Sequence, residues 1–405
     1  MSEMIKIPEG WESLELGNIL KIETGSKNAE DSSVDGIYPF FTRAEETQKI
    51  NTYSYDTEAL FIAGEGNFRV KYYNGKFEAH QRTYVLTSKD NNIDLSYLQK
   101  AIQPKITRLI STSVGSTVMS LRKPQIAEID VLSPKQKKEQ QKIAEVLSEV
   151  DNAISKTEEL FEKNKRIKTA LMQDLLNYGI DGNGKIRNPQ THIFKPSELG
   201  DIPEEWNCVE LGRVCDVRDG THDSPNYINY GIPFVTSKNL MDTGIDFKNV
   251  NYIKEDVHKL ISNRSKVENG DILFGMIGTI GKPVIVNTDF EFSIKNVALI
   301  KKIKLNFDNI FLLNFLKSNF FNKNVTNIFN GGVQNFISLG MVRKLLILQP
   351  EISEQQKIAQ ILSSQDEKIE DIKNKLNKLK SLKASLMQDL LSGKVRVTKL
   401  MEENS

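Results

Sequence analysis

The stretch "EQQKIAEVL" at residues 139–147 returns as "EQQKIAQIL" at residues 354–362, and "LMQDLL" at 171–176 returns at 386–391, both at an offset of 215. Two matches held at one spacing mark a repeated structural unit, and a missed repeat misassigns the fold. Between them, Ile143, Leu147, Val150, Ile154, Thr157, Phe161, Asn164, Lys168, Leu171 and Leu175 fall alternately four and three apart. Ile358, Leu362, Gln365, Ile369, Ile372, Leu376, Leu379, Lys383, Leu386 and Leu390 repeat the spacing. This is the heptad seam of one long helix packed on another. No Pro or Gly interrupts either segment, so each helix is expected to run for roughly 57 Å at about 1.5 Å per residue. Ser133-Pro134 and Gln349-Pro350 mark where the helices can begin. Thr157 and Asn164 weaken the first stripe, whereas the matching Ile372 and Leu379 strengthen the second.

Working outward, "IPEGWESLELGNIL" from residue 7 is echoed by "IPEEWNCVELGRVC" from residue 202, matching Trp11 to Trp206 and Gly17 to Gly212 at an offset of 195. The rise from 195 to 215 places about twenty extra residues in the centre of the second copy. The centres differ while the ends agree. "TEALFIAGEGNFRVKYYNGKFEAHQRTYVL" (57–86) and "GDILFGMIGTIGKPVIV" (270–286) read as short strands broken by Gly and Asn-Gly, and residues 96–110 and 307–321 have helical spacing. The expected organisation is a mixed α/β module at 1–138, a long helix at 139–176, a linker at 177–200, a second module at 201–353, a second long helix at 354–391 and a tail at 392–405. A pseudo-two-fold relation between the copies makes the two helices an antiparallel coiled coil within one molecule. A parallel pair is also within reach, because 24 extended linker residues at roughly 3.3 Å each can span a helix of this length.

Composition bounds the function. At 405 residues and 39% apolar, the chain can bury two cores. It has no apolar run of membrane-spanning length and no signal-peptide pattern at its start, so a cytoplasmic protein is expected, with no membrane partner. Cys208 and Cys215, with four histidines in all, form neither a disulfide framework nor a spaced metal site. Net charge is +1, and each module is balanced, with 18 basic and 18 acidic residues in 1–138 and 17 of each in 201–353. Any binding to a polyanion must therefore come from local clusters.

Two divergent modules, each opening "IPxxWxxxxLG" and followed by a long helix carrying "EQQKIA" and "LMQDLL", resemble the specificity subunit of type I restriction-modification systems. "GIYPFFT" (36–42), "YYNGKFEAHQRTYVL" (72–86), "RDGTHDSP" (218–225), "GIPFVTSKNL" (231–240) and "GGVQNFISLGMVRKLLILQP" (331–350) look like stretches recurrent in its target-recognition domains. The resemblance covers nearly the whole chain. It implies an α/β fold of two target-recognition domains separated by an antiparallel coiled coil. It further implies a non-catalytic subunit in which each domain reads one half of a split site in double-stranded DNA. The helices would set the gap and dock two modification subunits, which methylate adenine with S-adenosylmethionine. Two restriction subunits using ATP and Mg complete such a complex as a nuclease, and no cofactor is expected in this chain.

Base reading suits Arg, Asn and Gln, and phosphate positioning suits Lys. The candidates in the first module are Ser26, Lys27, Arg43, Asn67, Arg69, Lys71, Gln81 and Arg82. In the second they are Arg218, Thr221, His222, Ser237, Lys238, Asn239, Lys282, Lys295, Gln334 and Asn335. The bland reading of any one of them is a solvated charge or a turn residue, so the set carries the argument. Trp11 and Trp206 read as core anchors. "AGEGN" (63–67) and "GMIGTIG" (275–281) lack the Lys-Ser/Thr of a phosphate loop and read as tight turns. His222 beside Asp223 has no second His or Cys at ligand spacing. "SPNY" (224–227) resembles the Ser/Asn/Asp-Pro-Pro-aromatic motif of amino-methyltransferases, but Asn226 stands where the second Pro belongs. A fused methyltransferase is therefore disfavoured. The rival from another class is a coiled-coil scaffold bridging two protein partners without binding DNA, which charge neutrality permits but divergent loop-rich centres do not explain.

Overall fold

In the computed structural model, which describes residues 7–112, 120–278, 280–301, 307–322 and 336–402, each opening phrase forms a strand paired with the residues ahead of a long helix. Trp11–Glu15 runs antiparallel to Asp130–Pro134, and Asn207–Glu210 runs antiparallel to Leu346–Gln349. Each module is thus closed by hydrogen bonds between its own two ends. Closure needs a fixed register, which is why the ends of the copies agree while their centres diverge.

The chain divides into two compact units, residues 1–159 with 373–405 and residues 160–372. The first holds a six-stranded sheet in the order Leu20–Thr24, Thr83–Ser88, Tyr55–Ala63, Lys71–Ala79, Tyr38–Phe41, Gln48–Ile50. All neighbours are antiparallel except Tyr38–Phe41, which runs parallel to the end of Lys71–Ala79. The second unit repeats the first four strands as Val217–Asp219, Val297–Ile300, Ile272–Gly275, Gly281–Ile285. It splits the fourth strand, so that Ile232–Thr236 runs parallel to a separate piece, Ser293–Lys295, and antiparallel to Asn251–Ile253. Much of the second copy's extra length lies between Thr236 and Ile272, as the small hairpin Leu240–Met241 with Gly244–Ile245 and the helix Glu255–Ser265.

One reading needs correction. Asn74-Gly75, taken as turn punctuation, lies inside the strand Lys71–Ala79 opposite Glu58 and Thr57. Gly75 has φ 132° and sits beside the ring of Tyr73, whose area replaces the side chain that glycine lacks. The helices expected at 96–110 and 307–321 form as Leu95–Thr112 and Asn309–Lys317.

The long helices are Lys137–Asn177 and Ile352–Leu391. They run antiparallel. In the first unit Asp151 pairs with Lys383 at 2.6 Å and Glu158 with Lys380 at 2.8 Å. In the second, Lys168 pairs with Asp366 at 2.5 Å, and the Gln365 amide donates to the Asn164 backbone carbonyl at 3.0 Å. Adding the repeat offset turns Asp151 into Asp366, and subtracting it turns Lys383 into Lys168, so one contact recurs with the helices exchanged. All twenty seam positions are buried or half-buried. The polar ones are used internally: the Thr157 hydroxyl donates to the Ala153 carbonyl at 2.6 Å, and Asn164, 1% exposed, holds Gln365. A single buried polar pair of this kind fixes the register of a helix pair.

Each unit's core takes the start of one long helix and the end of the other. Ile143, Leu147 and Leu390 join Leu60, Leu86 and Tyr97 in the first. Leu175, Leu176, Ile358 and Leu362 join Trp206, Phe274 and Phe311 in the second. Cys215 is buried there, and burial pushes its thiol up; Cys208 is half-buried, and both are free.

The linker and tail carry a second repeat, "GKIR" at 184–187 and "GKVR" at 393–396. Both helices end at a glycine in the left-handed region, Gly179 (φ 64°) and Gly393 (φ 69°). Beyond it, Arg187 returns to Glu354 and Arg396 to Glu139, each arginine reaching the start of the opposite long helix. These glutamates open the two "EQQ" triplets. The glutamine that follows is equally internal: the amides of Gln140 and Gln355 donate to Pro134 and Pro350 carbonyls at 2.8 Å and accept from the backbone of Asp94 and Asp308 at 2.8 Å.

Asp151 also takes Lys100 at 2.6 Å. Burial raises its pKa, but hydrogen bonds from Lys100 and Lys383 outweigh that and hold it below the usual carboxylate value. A carboxyl depressed in the folded state stabilises it above the unfolded pKa and loses that contribution as pH falls through the folded value. Acid unfolding of the first unit, followed by hydrogen exchange below about pH 4, is therefore expected to begin at higher pH in Lys100→Met with Lys383→Met.

Candidate nucleic-acid interface

Three loops converge at one end of each sheet. In the first unit, Gly25 turns the chain out of Leu20–Thr24 so closely over Ala79 that any Cβ would overlap the Ala79 carbonyl. Gly220 stands in the same relation to Ile294 in the second. Only glycine permits that approach. The loop is then tied to the turn between the fourth and second strands of the order given above: the Lys27 N–H donates to Ala79 at 3.3 Å, and the Gln81 N–H to Lys27 at 2.9 Å. In the second unit the Thr221 N–H donates to Ile294 and the Asn296 N–H to Thr221, both at 3.2 Å. A third loop leaves the parallel strand. The His80 N–H donates to Phe41 at 2.9 Å, and the Ser237 hydroxyl donates to the Asn296 carbonyl at 3.0 Å. The first unit adds a fourth loop, residues 64–70, through Asn67 N–H to Arg43 at 3.3 Å and Gly64 N–H to Arg82 at 2.8 Å.

Most of the candidates fall on these loops, with different degrees of freedom. Ser26, Arg43, Arg69, Gln81 and Arg82 are exposed, and Lys27 and Asn67 are half-buried. Arg82 is held by Glu65 at 2.8 Å, Asn67 accepts from the Arg69 backbone at 2.9 Å, and Lys71 donates to the Ala44 carbonyl at 2.9 Å. In the second unit His222, Lys238 and Lys282 are exposed, Thr221 and Lys295 half-buried, and Lys295 meets Ser224. Ser237 and Asn239 are buried, the latter accepting from Thr236 at 2.9 Å and donating to Asn249 at 2.9 Å, which is a loop-building role. Arg218 lies in the strand Val217–Asp219 and is engaged by Asp216 and the Arg264 carbonyl. Gln334 and Asn335 lie outside the described residues.

Sequence reading passed over Asn28, His80 and Asn296. The Gln81 amide donates to Asn28 at 2.7 Å, and a His222 ring nitrogen lies 2.8 Å from the Asn296 oxygen. His80 accepts the Arg82 N–H at 3.0 Å. Burial, then the charges of Arg43 and Arg82, push its pKa down. Burial, then Arg69, does the same to Lys71. Burial is the larger cause in both, and the neighbouring cations that add to it show that basic side chains lie close together at this end of a neutral module. None of the signals for Asn28 or Asn296 is visible in spacing, because the pairing joins residues 53 and 74 apart.

Comparison with known proteins places this geometry. The profile of the type I restriction modification DNA specificity domain matches residues 8–168 and again 203–381. The EcoDI type I restriction enzyme specificity subunit of Escherichia coli is 27% identical over 96% of this chain and 90% of its own length. The MjaVIII specificity subunit of Methanocaldococcus jannaschii is 25% identical over 98% of this chain and 95% of its own. Among solved structures, the S subunit of a type I restriction-modification system from M. genitalium aligns over 96% of this chain and 98% of its own with a TM-score of 0.63 at 16% identity, which is a likeness of fold. The doubled module, its doubled helix and the profile matched twice agree: the chain belongs to the type I restriction-modification DNA specificity family, whose business is recognising DNA sequence.

Proposed function

We propose that each unit reads one half of a bipartite DNA site through its loop platform, and that the long helices set the gap and dock two modification subunits. The observation that carries this is the platform built twice on the same backbone ties with different side chains, which is what two unlike half-sites require. Phosphate contact suits Lys27, Lys238 and Lys282, and base contact suits the amides and the arginines. The chain itself performs no covalent step. S-adenosylmethionine belongs to the modification subunits, and ATP and Mg to restriction subunits where these join.

The test is to co-express the chain with its modification subunit and map methylated adenines across a genome. Replacing residues 12–132 by the corresponding segment of a relative cuts within the closing strand pair Trp11–Glu15 and Asp130–Pro134, so closure is retained. The expected result is a new sequence in one half of the methylated site with the other half unchanged. A change in both halves would show that recognition is shared between the units, and methyl transfer by the purified chain alone would end the non-catalytic reading.

A further inference from the structure

We infer that two side-chain pairs, Asn28 with Gln81 and His222 with Asn296, are equivalent base-reading elements, one for each half-site. This rests on the DNA-reading function proposed above and assigns it to particular groups. The equivalence comes from the backbone. Lys27 bridges His80 and Thr221 bridges Lys295, both parallel. The residue after each bridge on the outgoing loop is Asn28 or His222, and the residue after it on the turn is Gln81 or Asn296. In both units these two side chains meet, at 2.7 Å and 2.8 Å. One scaffold thus presents a pair of polar side chains twice, and the chemistry of the pair differs.

Asn296 carries a second mark. Its φ is 53°, and with Lys282 it is one of two non-glycine residues at positive φ among the described residues. Glycine is the unstrained choice there, and backbone strain is kept where the side chain is needed. The backbone is fixed on both sides, since its N–H donates to Thr221 and its carbonyl accepts from Ser237. The side chain is steered as well. Asp219, 4% exposed and bound by Arg264, lies 2.9 Å from the other ring nitrogen of His222, so the carboxylate orients the imidazole and the imidazole orients the amide. In the first unit the Gln81 amide uses one N–H on Asn28 and keeps its oxygen and second N–H. An amide with both available matches the donor and acceptor pattern of a base edge in the major groove. Pre-orientation by a neighbour reduces the side-chain freedom lost on binding.

The competing explanation is that Asn296 is merely a tolerated turn residue, asparagine being the commonest non-glycine at such angles. Asn296→Gly separates the two, because it relieves the backbone and removes only the amide. With the full chain in its complex with the modification subunit, methylated sites are mapped for the unaltered chain, Asn296→Gly, Asn296→Ala and Gln81→Ala, and binding to duplexes changed at single positions is measured. The expected result is that both Asn296 variants lose roughly tenfold to a hundredfold preference at one position of one half-site, keeping the other half intact. Gln81→Ala should do the converse. Unchanged base preference in Asn296→Gly overturns the inference. So does uniform weakening across all sequences with a shallower salt dependence, which marks a phosphate contact. If the unaltered chain directs no sequence-dependent methylation, the function fails together with the inference, an outcome distinct from either of these.

Discussion

Glu354→Ala is expected to cost the second unit roughly 3–5 kcal/mol, the range for breaking a buried ion pair by removing one partner. The Glu354 carboxylate accepts from Arg187 at 2.5 and 3.1 Å, from the Trp206 indole N–H at 3.1 Å and from the Ile180 backbone N–H at 2.8 Å. All four donors lose this carboxylate together, and Arg187, its side chain 7% exposed, keeps only the Tyr178 carbonyl at 3.3 Å and the more distant Glu205 at 3.7 Å. Against a total of about 5–15 kcal/mol for a domain, this is a large fraction. Replacing both partners, as in Glu354→Met with Arg187→Met, should cost less than the single change, because no buried charge is left alone. The equivalent Glu139→Ala in the first unit should be milder, since the arginine it leaves behind, Arg396, is 36% exposed on its side chain. Two units need not unfold together, so the measurement is hydrogen exchange resolved by segment: protection at residues 175–206 should fall in Glu354→Ala while residues 55–88 keep theirs. Equal protection of 175–206 in the variant and the unaltered chain would show that the pair does not hold the helix start.

That latch also shows where sequence reading stops. The repeat was legible because apolar seam positions and the "EQQ" and "LMQDLL" phrases are dictated by packing along a helix, where spacing in sequence is spacing in space. The closing strands were legible less directly, as constant ends around a variable centre. "GKIR" and "GKVR" are short and fall in segments that read as linker and tail, and their meaning lies in contacts with Glu354 and Glu139, which are 167 and 257 residues away. Glu139 and Gln140 lie outside the apolar seam, yet both are buried, because Arg396 returns to the one while Pro134 and Asp94 engage the other. For the platforms, side-chain type picked out Lys27, Arg43 and Gln81 in the first unit and His222 in the second. It could not separate exposed Lys238 from buried Asn239, one residue on, because that depends on which way a turn faces. Asn28 and Asn296 were invisible for the same reason. Each matters through a partner on another loop.

Inserting one heptad into both long helices, after Glu159 and after Ile372, is expected to lengthen the gap between half-sites by about three base pairs. These points fall where the two units divide along the chain, between the Glu158–Lys380 pair and the Asn164–Gln365 pair, so neither contact set is interrupted. Seven residues preserve the seam, and at about 1.5 Å each they add roughly 10 Å, or about three base pairs at ~3.4 Å. Both half-sites should be unchanged, because the platforms lie outside the insertion. If the helices are the ruler, the same insertion turns one half-site by about 100° relative to the other, given ~10.5 base pairs per turn, and modification subunits docked as proposed would have to follow that rotation. Reduced activity is thus compatible with the ruler, whereas an unchanged gap is not. Two residues inserted into the first helix alone are the control. They move Phe161 and Asn164 off the seam, leave Gln365 without its partner and should abolish assembly. If the heptad variant methylated the original sequence at its original spacing, the helices would hold the modules together without measuring the DNA, and the spacing would belong to the modification subunits.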